Sequence, residues 1–269
     1  MQRSLPVLIA LVLLSSTVGW SADYLKGLDA YDREDYETAL REWRPLAEQG
    51  HARAQAKLGV MYDKGKGVAQ EDETAVKWYR LAAEQGYAAA QYNLGVMYDN
   101  GDGVLQNDKI AGKWYRLAAE QGDADAQFEL GDMYANGYSV TQNDKVAAKW
   151  YRLAAKQGHA EAQLTLGAMY SDGDGVSQND KTAVKLYRLA AEQGDAVAQY
   201  NLGGMYLLGR GIPQNHVYAH MWFNIAASQG DKLSVKNRDR VAILMIRSQI
   251  EKAQELAAEC GKKKFKGCD

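Results

Sequence analysis

WYRLAAEQG at Trp78–Gly86 returns unchanged at Trp114–Gly122, as WYRLAAKQG at Trp150–Gly158, as LYRLAAEQG at Leu186–Gly194 and as WFNIAASQG at Trp222–Gly230. Every step is 36 residues. A second block, LGVMY at Leu58–Tyr62, recurs in phase from Leu94, Leu130, Leu166 and Leu202, and so does the pair Ala54-Gln55. A period of this size marks an array of small units, none of which can bury an apolar face without stacking on its neighbour.

Each unit reads as two helices. In the first, about Ala52 to Asp63, the residues Ala54, Leu58, Met61 and Tyr62 recur at three- and four-residue steps and share one face. Gly65-Lys66-Gly67 ends it, glycine supplying the positive φ of a sharp stop. The second begins near Asp72, with the Asn and Asp of Gln106–Asp108 and its equivalents as N-caps in later units, and closes on Gly86. No alternating β-branched run of strand length occurs, which excludes a propeller. The expectation is an all-α solenoid of stacked helical hairpins with a 36-residue period, in units 24–50, 51–86, 87–122, 123–158, 159–194 and 195–230 within residues 23–230. The ends deviate. Residues 24–50 fit the frame only in their second half; Trp43 aligns with Tyr79, and Pro45, in the slot of Leu81, should distort its helix. Within residues 231–269, the apolar positions of Val241–Ala258 read as one capping helix, followed by a basic tail of Lys262, Lys263, Lys264 and Lys266.

The composition follows from the period. Of the 26 Gly, 20 fall in four repeating slots, and 9 of the 17 Tyr fall in two, those of Tyr62 and Tyr79. Apolar residues make up 46% and charged residues 25% of the 269, which excludes a disordered chain and a polytopic membrane protein. A net charge of -2 excludes a chain-wide nucleic-acid footprint.

Residues 1–22 read as a secretory signal peptide. Arg3 precedes an apolar run from Leu5 to Leu14, then Ser15, Ser16 and Thr17, and the exit falls between Gly19 and Asp23. The run is shorter than the roughly 20 residues that span a bilayer. A periplasmic or secreted location follows, with no membrane contact after cleavage. An oxidising compartment pairs Cys260 with Cys268 in a disulfide around CGKKKFKGC.

The pattern AxAQxxLGxMYxxGxGVxQND…AxxWYRLAAEQG, over about Tyr24 to Gly230, resembles the Sel-one-like repeat (SLR) family, relatives of tetratricopeptide repeats. The resemblance implies a right-handed α-solenoid with a concave face that contacts other proteins, and a role in envelope assembly, signalling or host interaction. A cysteine-rich branch is linked to penicillin binding, so a cell-wall ligand binder or a β-lactamase-like enzyme is the alternative. That branch carries a Cys pair in each repeat, which this array lacks. The packing implied by the resemblance puts Tyr92, Phe128, Leu164 and Tyr200 on the inner face, with Val96 and Asp132 one turn on and Asp99 and Leu207 further along. An aromatic ladder at this spacing serves either partner docking or packing between repeats.

No HExxH, Walker loop or nucleophile elbow is present, so neither a catalytic residue nor a cofactor or metal site is expected. The expected partner is a protein, and nucleic acid is not expected. His51 and His159 share a slot with Tyr87, Asp123 and Asp195 and read as a tolerant surface position. His216 and His220, one helical turn apart without a third ligand, read as helix-surface histidines. Arg44, Arg80, Arg116, Arg152 and Arg188 recur in one slot and read either as a basic ladder along the solenoid that attracts anions or acidic partners or, favoured, as i,i+4 partners of residues such as Glu84 and Glu120.

Overall fold

A computed structural model describes residues 22–269. The signal-peptide reading falls, all but its last residue, outside them. The described residues form fourteen helices and no strand: α1 (Tyr24–Asp32), α2 (Tyr36–Glu48), α3 (Ala52–Lys64), α4 (Asp72–Glu84), α5 (Ala88–Asn100), α6 (Asp108–Glu120), α7 (Ala124–Asn136), α8 (Asp144–Lys156), α9 (Ala160–Asp172), α10 (Asp180–Ala191), α11 (Ala196–Leu208), α12 (His216–Ser228), α13 (Lys232–Ala242) and α14 (Arg247–Lys262). Helices α1 to α12 pair as successive hairpins, and each hairpin packs on the next. The architecture is the all-α solenoid that the period predicts.

Close approach within each hairpin depends on one glycine. A Cβ on Gly95 would lie 2.6 Å from the Tyr115 ring, and Gly59, Gly131 and Gly167 face Tyr79, Tyr151 and Tyr187 in the same way. Those tyrosines are at most 4% exposed. Their hydroxyls do not reach solvent or a loop carbonyl. Tyr79 donates to Asp63 at 3.2 Å, Tyr115 to Asp99 at 3.5 Å and Tyr151 to Asp132. Gly27 stands against Trp43 as Gly59 stands against Tyr79, so residues 24–50 are a complete hairpin with a shortened loop. Helix α2 continues through Pro45 to Glu48.

Successive hairpins are joined by a buried amide. Gln55 donates from Nε2 to the Ala47 carbonyl at 3.0 Å and accepts at Oε1 from Gln85 at 2.7 Å, linking α2, α3 and the C-cap of α4. The same pair of bonds recurs at Gln91, Gln127, Gln163 and Gln199, all at most 4% exposed. A buried amide left unpaired costs more than the bond itself returns, so these five glutamines set the stacking register.

Four readings are corrected. The slot of His51 and His159 is the N-cap of the first helix: each Nδ1 accepts from the backbone N–H three residues on at 3.2 Å, and Asp123 and Asp195 do the same with a carboxylate. The arginines do not form ion pairs with the i+4 glutamates; each donates to a tyrosine hydroxyl of the next hairpin, from Arg44–Tyr62 at 3.2 Å to Arg188–Tyr206 at 3.2 Å. Val241–Ala258 is not one helix. The chain breaks between Ala242 and Arg247, because α13 and α14 both pack on α12 and one straight rod cannot. Val241 and Met245 anchor the break, while Ile243, Leu244 and Ile246 stay exposed. Under these helices Trp222 and His220 are buried, so His220 is not a surface histidine.

Two glycines separate packing from propensity. Gly95→Ala places a methyl against the Tyr115 ring, an overpacking cost of about 1–3 kcal/mol that outweighs the helix-propensity gain of about 1 kcal/mol. Gly204→Ala in α11 meets nothing within 4 Å and keeps that gain. Urea denaturation followed by circular dichroism should lower the midpoint for the first variant and hold or raise it for the second.

Candidate functional site

The positions of the first helices that vary among repeats share one face. Residues of α5 and α7 line a cavity of about 320 Å³ where Asp99, Asp108, Glu129 and Asp132 converge with Tyr115 and Tyr138. Helix packing places them: Asp99 and Glu129 come from adjacent first helices, and Asp108 begins α6 just after its Asn107 cap. The charges disfavour one another at close quarters in a poorly solvated wall. Burial, then Asp132 and Asp99, pushes the Glu129 carboxyl up to about 7. Burial and then Asp108 raise Asp99 despite the Tyr115 hydroxyl, and burial raises Asp132 despite that of Tyr151.

A second cavity, of about 260 Å³, lies where α11 meets α13. Tyr200, Asn201, Gly204 and Leu207 form its α11 wall, and exposed Leu208 forms its lip. Asn237 of α13 donates to the Tyr200 hydroxyl at 3.0 Å, so the cap helix closes this end. Arg210 forks onto Asp180 at 2.7 and 3.2 Å and donates to the Ser171 carbonyl at 3.0 Å. That pairing leaves the cavity polar at one side and aromatic at the other.

The sequence-predicted residues divide between these places. Asp99 and Asp132 meet in the acidic cavity, Tyr200 and Leu207 in the second. Tyr92 packs its ring 5.9 Å from that of Tyr115, and Phe128 lies 5.7 Å from Tyr151 and stacks on His159 at 4.7 Å. Val96 and Leu164 pack, half-buried, against core clusters. The aromatic slot therefore contributes to packing within its own hairpin even where one side of it is open. Glu129, Arg210 and Asn237 were missed. A signal existed for Glu129: its slot reads Lys57, Asn93, Glu129, Thr165, Asn201, a change of charge where scaffold slots hold constant.

Among the described residues no group of three His, Cys, Asp or Glu is arranged to hold a metal ion, and no helix is long and apolar enough to cross a membrane. The structure bonds Cys260 to Cys268.

Folded Glu129 keeps its proton to about pH 7, whereas an unfolded glutamate releases it near 4.5. The folded state therefore binds more protons between those values, and stability falls as pH rises through that window and stays lowered above it. Glu129→Gln removes the effect. At pH 8 the variant should be more stable by about 1 kcal/mol, since water screens a carboxyl that is part exposed, and at pH 4.5 the gain should vanish. Thermal melts of both proteins across pH 4.5–8 read it.

The Sel1 repeat model matches residues 52–87, 88–123, 124–159, 160–195 and 196–231. Comparison with curated proteins gives no match. Among solved structures, the chain is similar to c5321, described as a protective antigen present in uropathogenic Escherichia coli strains displaying an SLR fold, with 35% identity and a TM-score of 0.78. That match covers 91% of this chain and 55% of c5321, so the chain spans little more than half its relative's length. It is also similar to a Sel1 repeat protein from Oxalobacter formigenes, with 36% identity and a TM-score of 0.76 over 87% of this chain and 94% of that one. With five consecutive units matched and α1–α2 stacked on them as a sixth hairpin, the chain belongs to the Sel1 repeat family.

Proposed function

We propose that this chain is an exported, non-enzymatic scaffold that docks a partner protein along the first-helix face. The observation that carries the reading is the contrast between slots. Positions that hold the solenoid together repeat from unit to unit, whereas Asp99, Glu129, Asp132 and Tyr138 of the first cavity and Asn201, Gly204, Leu207 and Leu208 of the second stand in slots that change in charge and size. A surface maintained only for folding has no reason to place four carboxylates around one cavity and pay for it in raised protonation equilibria. The acidic cavity suits a basic side chain of the partner, whose charge would draw the proton from Glu129. The aromatic and amide walls of the second cavity suit an apolar anchor flanked by backbone amides.

Export is supported by the leader pattern of residues 1–22 and agrees with the Cys260–Cys268 bridge, a bond that persists in oxidising compartments. A periplasmic or secreted location, with a role in envelope assembly, signalling or host contact, fits both.

Exposed residues allow a test that leaves the core intact. Tyr138 is 59% exposed and Leu208 is 66% exposed, and each lines one cavity. Immobilised mature protein should capture a partner from envelope extract, identified by mass spectrometry. Tyr138→Ala, Leu208→Ala and Glu129→Gln combined should weaken that partner's affinity at least tenfold by calorimetry. Undiminished affinity in the triple variant sinks the assignment to this face.

A further inference from the structure

The fifth arginine–tyrosine pair differs from the other four by what sits on it. Arg188 donates from Nε and from a terminal nitrogen to the two carboxylate oxygens of Asp269, at 3.0 and 2.8 Å, and Tyr206 donates its hydroxyl proton to the same carboxylate. The Asp269 side chain is fully buried there. This is a complete carboxylate site, with a planar guanidinium fork on one edge and a phenol on the other.

The donors of that site recur along the solenoid. Arg44–Tyr62, Arg80–Tyr98, Arg116–Tyr134 and Arg152–Tyr170 have the same arginine-to-hydroxyl bond, at 3.2, 2.8, 2.9 and 3.0 Å. In each, the tyrosine accepts from arginine, and its own proton has no acceptor among the described residues. No carboxylate of the described residues lies within 4.0 Å of these four guanidiniums. The fork and phenol that Asp269 uses are therefore unspent in four places.

Charge and space favour the third. Lys109, Lys113 and Arg116 fall at i, i+4 and i+7 on α6 and share a face. They line a cavity of about 170 Å³ together with Gly112 and Ser139. Gly112 occupies the slot of Val76, Ala148 and Val184, and the Met133 side chain takes the room that a Cβ would need there. Ser139 keeps a positive φ of 55° where the equivalent turns have glycine. In those turns the glycine lies against backbone, as Gly103 does on Asp72 and Gly175 on Asp144, at distances that leave no room for a Cβ.

We propose that the arginine–tyrosine ladder, built by the arginines of the second helices and the tyrosines of the following first helices, is a docking surface for an acidic segment of a partner protein, with Arg116–Tyr134 as its anchor and Asp269 as the chain's own occupant of the last site. It is separate from the first-helix groove, and takes carboxylates where that groove takes a basic group. Each carboxylate replaces water on a guanidinium fork and accepts the free tyrosine proton, which fixes register as well as charge.

Fluorescence anisotropy with a labelled deca-aspartate peptide tests it on the full mature protein at low salt. Wild type should bind, more weakly as salt rises. Arg80→Lys, Arg116→Lys and Arg152→Lys together keep the charge but lose the fork, and should weaken binding at least tenfold. Tyr134→Phe should cost severalfold. Asp269→Ala should tighten binding or add a site in both wild type and the lysine triple variant, because it frees Arg188 and Tyr206. The proposal is overturned if the lysine triple variant, melting at the wild-type temperature, binds as wild type does. It is also overturned if Asp269→Ala changes nothing, or if a deca-thymidylate or anionic phospholipid vesicles bind more tightly than the peptide.

Discussion

A single buried amide ties three helices together at each step of this protein. The Gln55 side chain gives its N–H to the Ala47 carbonyl and receives the N–H of Gln85. The Ala47 carbonyl lies in the last turn of α2, where helical carbonyls lack a partner along the helix; the Gly50 N–H takes one lone pair and Gln55 the other. A glutamine in this slot has no water to turn to, so both ends of its amide must be met by protein. A neighbouring hairpin displaced by one residue would lose the Gln55–Ala47 bond and strand a buried amide N–H, while Gln85, on the same hairpin as Gln55, would keep its own bond. Hydrophobic contact alone would tolerate some sliding, because alanine-rich faces are smooth; the amide does not. The Gly–Tyr contact acts at right angles to this, setting how near the two helices of one hairpin approach. Together they make each unit a copy of the last, and that is why the period is kept so strictly.

Much of this was legible in the sequence because it is local or strictly periodic. The Gly65 and Gly86 stops, the Asn caps and the hairpin order all depend on residues within a few positions of one another. The arginine bonds were not legible in the same way. Arg80 and Tyr98 are 18 residues apart on helices of different units, while Glu84 lies at the spacing that helix rules reward. The local rule lost because the phenol is placed by packing and the glutamate side chain is free to stay in water. The cap was misread for a related reason. The apolar residues of Val241–Ala258 fit one stripe only on one rod, and covering α12 takes two. Which side chains of the inner-face slots converge in a cavity depends on stacking angle. Glu129 and Asp132 of α7 thus join Asp99 from the preceding unit without any sequence proximity.

A net charge of -2 conceals how the charges are distributed. Asp99, Glu129 and Asp132 of the first helices gather with Asp108 around one cavity, while Lys109, Lys113 and Arg116 of α6 line another. Burial first, and the neighbouring carboxylates after it, raise the protonation of Glu129 and Asp99. A protein selected for stability alone would interleave the two signs. The two cavities thus present opposite signs of charge.

The C-terminal bridge gains its meaning from this geometry. Closing a loop with a sequence separation of 8 restricts the unfolded chain only modestly. Its larger effect is on the folded state. Bonding Cys268 to α14 holds Gly267 where its N–H reaches Glu192, and brings Asp269 onto Arg188 and Tyr206. Phe265 packs beside the same unit. A solenoid has no intrinsic end, because the surface that accepts the next repeat is present on the last one too. Here α13 and α14 cover that surface on α12, and the bridged tail lays its carboxylate on Arg188 and Tyr206 where the fifth and sixth hairpins meet. The cap thus satisfies the repeating donors as well as the repeating apolar face, and the small disulfide loop determines where the one carboxylate it needs will sit.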